Sequence, residues 1–389
     1  MIVTVTLNPA LDLTYTVDAL VPQATNRVRT VAERPGGKGL NVASVLHALG
    51  EPVLATGLLG GPTGAHIEAL VRFPAAFVPI AGDSRRTVTI VDATDATGLW
   101  EPGPTVTGAE WAAFLDHFAV LLPEADAVVL SGSLPQGLPP DAYAVLVRAA
   151  RAQGVPTILD TSGEPLRHGV GAAPDIVKPN EHELAALGQH PTDAIAAGVR
   201  AVVVSLGHRG LHAHTADGTW RMPPPAVVTG NPTGAGDACV AALARGLRNG
   251  VGQDDRTPSA LNNGAGQDDR TRAALNNDRA GEDNDRDGAD NHHVGERSRH
   301  VGEHSRHVGE DYRHVGEDNR RDGPREHNPA EDRPGNRRGG TTWPAVLADA
   351  AALAAAAVVA PVAGEIDLTQ YQTFRRTMQG VQADVQPHR

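Results

Sequence analysis

Asn231-Pro232-Thr233-Gly234-Ala235-Gly236-Asp237-Ala238 runs a glycine-spaced turn straight into an apolar helical pattern. A glycine run that enters a helix leaves several backbone N–H groups unpaired and aimed at one spot, where the helix dipole adds partial positive charge. That spot suits a phosphoryl group. The amides of Gly234, Ala235 and Gly236 would neutralise charge developing there, and Asp237 stands directly after them. Its carboxylate can take the proton of an attacking hydroxyl; the competing role is a helix N-cap.

A second glycine-bounded helix entry lies far upstream, Pro35-Gly36-Gly37-Lys38-Gly39-Leu40-Asn41-Val42-Ala43. Among 34 basic residues only Lys38 and Lys178 are lysines, all the others being arginine. A lysine kept against that bias marks a place where a compact, mobile ammonium is wanted instead of a planar fork, as on phosphates. The alternative is chance survival of both.

The chain of 389 residues has apolar content enough for a sizeable core and a formal net charge of −12. Composition changes between 251 and 340, where apolar residues thin out and Asp, Glu, Arg, His, Asn and Gly dominate. Gly252-Gln253-Asp254-Asp255-Arg256-Thr257 returns as Gly266-Gln267-Asp268-Asp269-Arg270-Thr271, and His-Val-Gly-Glu recurs every seven residues from His293, His300, His307 and His314. One valine per repeat forms no coiled-coil seam, and so polar a segment cannot bury enough surface to offset its ordering entropy. Residues 251–340 are therefore expected to be a disordered insertion. Apart from His292-His293, its histidines lack the close partners of a structural metal site.

The insertion holds 15 arginines against 20 carboxylates, which leaves the remainder mildly acidic and argues against nucleic acid as a partner. Cys239, the sole cysteine, cannot form an internal disulfide and reads as a small core residue. The sequence opens on the β-like run Ile2–Thr6 without a basic or cleavable apolar leader. The alanine-rich stretch 345–360 contains Asp349, ends at Pro361 and reads as a buried helix, not a membrane span. A cytoplasmic enzyme with no membrane contact is the expectation.

Short Val/Ile/Leu runs alternate with helical patterns, which predicts an α/β fold with a mostly parallel sheet. Candidate strands are 53–56, 127–131, 157–160, 175–178 and 201–205. Helices are expected at 39–49, at 109–122 behind the capping box Thr107-x-x-Glu110, and at 141–153 behind Pro139-Pro140. In open α/β sheets the ligand crevice lies beyond the carboxyl ends of the strands, so Ser131, Asp160, Lys178 and Ser205 point toward one region. Runs 87–92 and 98–101 lack an intervening helix and read as a small antiparallel element.

Further motifs stand in order between the two glycine turns, Ser131-Gly132-Ser133-Leu134-Pro135, Asp160-Thr161-Ser162-Gly163-Glu164, Lys178-Pro179-Asn180-Glu181-His182-Glu183 and Ser205-Leu206-Gly207-His208-Arg209-Gly210, while Leu7-Asn8-Pro9-Ala10-Leu11-Asp12 precedes them and Ala363-Gly364-Glu365-Ile366-Asp367 follows. Together they make the chain resemble the ribokinase-like (pfkB) carbohydrate kinases, most closely the branch of 1-phosphofructokinase and tagatose-6-phosphate kinase. The resemblance covers essentially everything outside the insertion. It implies a three-layer α/β/α kinase domain of 1–250 plus 341–389, with a small β lid from about 12–35 and 84–104.

The resemblance further implies ATP-dependent phosphorylation of a ketohexose phosphate: fructose 1-phosphate, tagatose 6-phosphate or fructose 6-phosphate. Asp237 would be the base and Gly234, Ala235 and Gly236 the anion hole. Asp12, Arg27, Gly36, Gly37, Lys38, Asn41, Arg85 and Ser131 would bind the substrate, and Lys178, Asn180, Ser205, Gly207 and Gly210 the nucleotide. Asn180 and Glu183 would organise Mg²⁺ through water. A homodimer through the lid is implied as well. Asn180-x-x-Glu183 is equally a helix N-cap with its capping-box partner, and both readings hold together because Mg²⁺ needs only one or two carboxylates.

Substrate choice is where the pattern departs. The lid strand of phosphosugar members commonly carries Asn and Lys, whereas Gly82-Asp83-Ser84-Arg85-Arg86-Thr87-Val88-Thr89 keeps arginine but places Thr87 and Thr89 at those points. Trp100 replaces the usual Asn before Pro102-Gly103-Pro104. A substrate phosphate wants cationic donors, for which Arg27, Arg85, Arg86 and Lys38 remain, with a solvated face as the other reading of Arg85 and Arg86. The lost lysine favours an unphosphorylated sugar or a nucleoside as the alternative acceptor. The non-enzyme alternative is an idle sugar- or nucleotide-sensing protein.

Overall fold

The computed structural model describes residues 1–251, 341–360, 362–381 and the backbone of 384–386. The repeat segment expected to be disordered lies outside the described residues, apart from Val251.

Strands β5 (Ala75–Ile80), β4 (Val53–Gly60), β1 (Ile2–Thr6), β8 (Ala127–Ser131), β9 (Thr157–Asp160), β10 (Ile176–Val177) and β11 (Ala201–Ser205) lie side by side in that order, all parallel. β12 (Leu211–Thr215), β13 (Gly218–Met222) and β14 (Asp384–Gln386) continue the sheet antiparallel. Continuous apolar runs make strands that are covered on both faces. In β11, Ala201 and Val203 pack into one core layer and Val202 and Val204 into the other.

The first layer is closed by α1 (Lys38–Ala48), α8 (Ala235–Arg248), α9 (Trp343–Val358) and α10 (Leu368–Met378). The second is closed by α3 (Gly108–Leu121), α4 (Ala142–Ala152) and α5 (Gly163–Gly171), with α6 (Glu181–Leu187) and α7 (Pro191–Ala196) at its edge. The result is the expected three-layer α/β/α sandwich with a mostly parallel sheet. The three helices predicted from periodicity agree to within a residue at each end, and the Thr107–Glu110 capping box is formed. Stretch 345–360 is the buried helix α9. Among the described residues no helix is long and apolar enough to cross a membrane.

Some elements differ from the expectation. The strand expected at 53–56 runs on to Gly60, and that at 175–178 shrinks to Ile176–Val177. β5 went unread because Pro79 interrupts it; as the edge of the sheet it loses no ladder bond on its free side. β12 went unread because His212 and His214 break its apolar pattern.

A second sheet has the order β3 (Thr30–Gly36), β2 (Ala10–Thr16), β6 (Arg85–Val91) and β7 (Ala96–Trp100). β6 and β7 are the antiparallel pair expected from sequence, and β2 joins β6 in parallel. Residues in register share a face and neighbours along a strand alternate. Leu11, Leu13, Tyr15 and Val88 accordingly turn one face to the first core layer. Asp12, Arg34 and Thr87, in register with one another, occupy the opposite face with Gly36 and Arg85 two positions along.

Candidate active site

Helices α1 and α8 begin at glycines, Gly37 (φ 116°) and Gly234 (φ 91°), and neither has a side-chain cap. Asp141, Ser162 and Thr342 also leave α4, α5 and α9 without a side-chain cap bond, whereas α3, α6 and α10 are capped by Thr107, Asn180 and Asp367. Uncapped entries keep their first-turn amides available to a ligand and point the positive helix end at it. Within the Gly234 turn, the Ala235 N–H rests on the Pro232 carbonyl at 3.3 Å and the Ala238 N–H on the Gly234 carbonyl at 2.9 Å. Gly234 as the N-cap leaves Asp237 in the first turn, which removes the N-cap role that competed for it.

The two helix entries meet through side chains. Asn41 Nδ2 donates to Asp237 Oδ2 at 2.8 Å, inside a buried site. Burial, together with the nearby negative charge of Asp160, pushes the Asp237 carboxyl up to about 7, against the opposing pull of Asn41, Lys38 and Lys178. A carboxylate poised there suits a base working near neutrality.

Asp160 ends β9 and gathers both lysines of the chain. Lys38 Nζ lies 3.2 Å and Lys178 Nζ 3.4 Å from the same oxygen, Oδ1, while Oδ2 is buried with no protein partner. The Lys178 side chain is 4% exposed, and a Cβ on Gly236 would stand 3.6 Å from its Nζ, so the ammonium sits beneath the first turn of α8. Burial alone would push Lys178 down; Asp160, Cys239, Glu183 and Asp237 together outweigh it and hold the ammonium above its ordinary range. Lys38 is 39% exposed and opens to the cleft. A buried ion group that is mutually paired can add attraction for phosphoryl oxygens without leaving a charge orphaned. Ser131 stands beside Asp160 in the β8–β9 register, fully buried, with no partner for Oγ.

On the small sheet, Asp12 accepts a hydrogen bond from Thr87 Oγ1, and burial raises its carboxyl against Thr87, Arg34 and Arg85, which pull it down. Gly36 is glycine because a Cβ there would fall 2.1 Å from Asp12 Cγ. Arg85 donates from Nε to the Asn8 carbonyl at 3.1 Å and from Nη1 to the Glu101 carbonyl at 3.2 Å. Arg86 points the other way, paired with the Glu101 carboxylate at 3.0 Å on an exposed face.

Asn180 and Glu183 form the reciprocal capping box: Glu183 N donates to Asn180 Oδ1 and Asn180 N to Glu183 Oε2, both at 2.8 Å. A Mg²⁺ held through water needs little from the protein, and Glu183, with one oxygen outside the box and close enough to act on Lys178, fits it. Ser205 adjoins Asn180 through a bridge between the ends of β10 and β11. Gly207 (φ 58°) and Gly210 (φ 89°) turn the chain after it, and a Cβ on Gly210 would meet the Met222 carbonyl at 2.1 Å.

The fold thus draws Gly37, Lys38, Asn41, Lys178 and Asp237 to one place around Asp160, with Asp12, Gly36 and Arg85 on the facing sheet. Arg27 is different: it is exposed in the loop beyond the Thr16–Thr30 end of the β2–β3 hairpin, away from Asp12. Sequence reasoning aimed Asp160 at the crevice and marked Thr87 as a departure on the lid strand, but gave neither a chemical role, and it passed over Arg34, which had no signal beyond adjacency to the Gly36-Gly37 motif.

The pfkB family carbohydrate kinase profile matches residues 5–259, and the chain belongs to that family. Among solved structures it is similar to the tetrameric inhibited form of phosphofructokinase-2 from Escherichia coli: 29% identity, TM-score 0.59, covering 64% of this chain and 87% of that one. It is similar also to a possible 1-phosphofructokinase from Thermotoga maritima, at 28% identity and TM-score 0.57 over 64% and 90% of the two chains. A ribokinase from Thermotoga maritima shares the fold at 22% identity, TM-score 0.53, over 64% and 86%.

Proposed function

We propose that this pfkB-family sugar kinase transfers the γ-phosphoryl group of ATP to a hydroxyl of a ketohexose phosphate, with Asp237 as the general base. The observation that carries the reading is the buried Asp237 carboxyl, raised to about 7 and fixed by Asn41 at the uncapped entry of α8. The acceptor hydroxyl gives its proton to Asp237 as its oxygen bonds to the γ-phosphorus, and the bond to the β-phosphate oxygen breaks to release ADP. The amides of Gly234 and Gly236, the Ala235 N–H on leaving its 3.3 Å bond to the Pro232 carbonyl, and the ammoniums of Lys38 and Lys178 stabilise the charge on the transferring group. Asp12 accepts from sugar hydroxyls. Ser205, Gly207 and Gly210 receive the nucleotide, and Mg²⁺, bound through Glu183, Asn180 and water, would screen its phosphates.

Arg85 supports a phosphorylated acceptor: its guanidinium reaches carbonyls and so brings positive charge to the face that carries Asp12. Thr87 supports the second reading, an unphosphorylated sugar or nucleoside, because it supplies a hydroxyl, already bonded to Asp12, where a cation would read a phosphate. Val31 and Leu99 are 55% and 57% exposed on the apolar face of the small sheet, which supports a homodimer through this lid. The test is ADP release with Mg-ATP against fructose 1-phosphate, fructose 6-phosphate, tagatose 6-phosphate and free fructose. Turnover of one phosphosugar, lost in Asp237→Asn, supports the proposal; turnover of fructose alone moves it to the second reading, and no turnover on any of them overturns it.

A further inference from the structure

Arg34 reaches from the small sheet to the turn that backs both helix entries. It lies opposite Asp12 in the β2–β3 register, with Nη2 3.7 Å from Asp12 Oδ2, and its Nη1 donates to the Ala363 carbonyl, 329 positions away. Ala363 and Gly364 are wedged between the working parts of the site. A Cβ added to Gly234 would stand 2.9 Å from Ala363 Cα, and one added to Gly364 2.7 Å from Asn41 Oδ1, on the amide that holds Asp237. Contacts therefore run without a gap from Asp12 through Arg34, Ala363 and Gly364 to Asn41 and Asp237.

We propose that Arg34 is a positioning residue that fastens the small sheet to the Gly234 entry of α8, so that engagement of Asp12 by an acceptor and the placement of Asn41 and Asp237 are set together. Arginine suits the task because one planar fork can meet a carboxylate and a carbonyl at once, which a lysine point charge cannot. The side chain is 21% exposed, so both contacts are sheltered from water. Its kinetic consequence rests on the kinase reading; its structural consequence does not.

The test compares full-length Arg34→Gln, Arg34→Lys, Asp12→Asn and the Arg34→Gln/Asp12→Asn double variant, each checked for a cooperative melt. In the unliganded protein, hydrogen exchange of Arg34→Gln should quicken at 362–366 and 235–241 as well as at 30–36, with Arg34→Lys intermediate. Quickening confined to 30–36 overturns the proposal, whatever the acceptor. On an acceptor the wild type uses, Arg34→Gln should lower kcat at least about tenfold while the KM for ATP stays within about twofold, and its effect should be less than additive with Asp12→Asn. An unchanged kcat, or strictly multiplicative losses, overturns it as well. Failure of the wild type on every acceptor counts against the kinase reading, and the exchange measurement still decides Arg34.

Discussion

Asn41 Nδ2 lies 2.8 Å from Asp237 Oδ2, so the first turns of α1 and α8 are joined by a hydrogen bond between residues 196 positions apart. The amide spends its donor on one carboxylate oxygen and so fixes the orientation of the group. The two glycine-entered helices converge because α1, which follows β3 of the small sheet, and α8, which follows β13 of the large one, pack into the same core layer.

The raised Asp237 carboxyl predicts an acid limb in kcat/KM. Protonated Asp237 cannot accept a proton, so activity should rise with pH through about 7 and then level off. Because the folded value lies above the ordinary carboxylate value of 3.8, this group favours folding below that value and the benefit is lost as pH climbs through about 7. Asp237→Asn should therefore gain thermal stability over the wild type as pH rises from 4 to 8, by about a few degrees. An acid limb near 4 with no such divergence would contradict the assignment.

Asp160→Asn leaves the ammoniums of Lys38 and Lys178 without their shared carboxylate, and that of Lys178 is buried. Breaking a buried pair from one side costs about 3–5 kcal/mol, which urea or thermal unfolding would register. The same change removes a negative neighbour of Asp237, so the acid limb should move to lower pH. Unaltered stability and an unaltered profile would remove Asp160 from the site.

Gly234 and Gly236 should respond differently to alanine. At Gly234 the φ of 91° and the 2.9 Å approach to Ala363 Cα leave no room, whereas a methyl on Gly236 meets Lys178 Nζ at an ordinary 3.6 Å. Gly234→Ala should lower the melting temperature by about 2–4 °C per kcal/mol of strain, and Gly236→Ala should leave it unchanged. Equal losses would mean the turn is held by something other than its backbone.

Replacing residues 252–340 with a short Gly/Ser linker should leave turnover on the same acceptor unchanged, since none of the residues gathered around Asp160 belongs to that segment. In general a flexible connection is lengthened or shortened at modest entropic cost. Loss of turnover in a variant that still melts cooperatively would make the segment part of the working enzyme.

How much of this was legible before any coordinates follows from the kind of signal each residue carries. The parallel sheet was readable because Val128, Ile158 and Val202 belong to unbroken apolar runs, and α3 because Thr107 and Glu110 announce its start. Glycine turns marked Gly37 and Gly234 because few other residues enter a helix that way. The parallel pairing of β2 with β6 left no local trace, since it joins residues 75 positions apart, such as Asp12 and Thr87. Arg34 was invisible for the same reason: its partner Ala363 lies beyond the whole insertion, and one arginine among many has no distinguishing pattern. The lysine scarcity did point to Lys38 and Lys178, yet only the fold reveals that they share one carboxylate.

The most direct measurement is ADP formation by Asp237→Asn beside the wild type on the same acceptor, with ATP affinity determined in parallel. The account predicts a rate lower by about 10²–10⁴-fold with ATP affinity retained, because the variant keeps the amide turn and both lysines but cannot accept a proton. Turnover by Asp237→Asn near the wild-type rate would contradict it and assign the proton to another group.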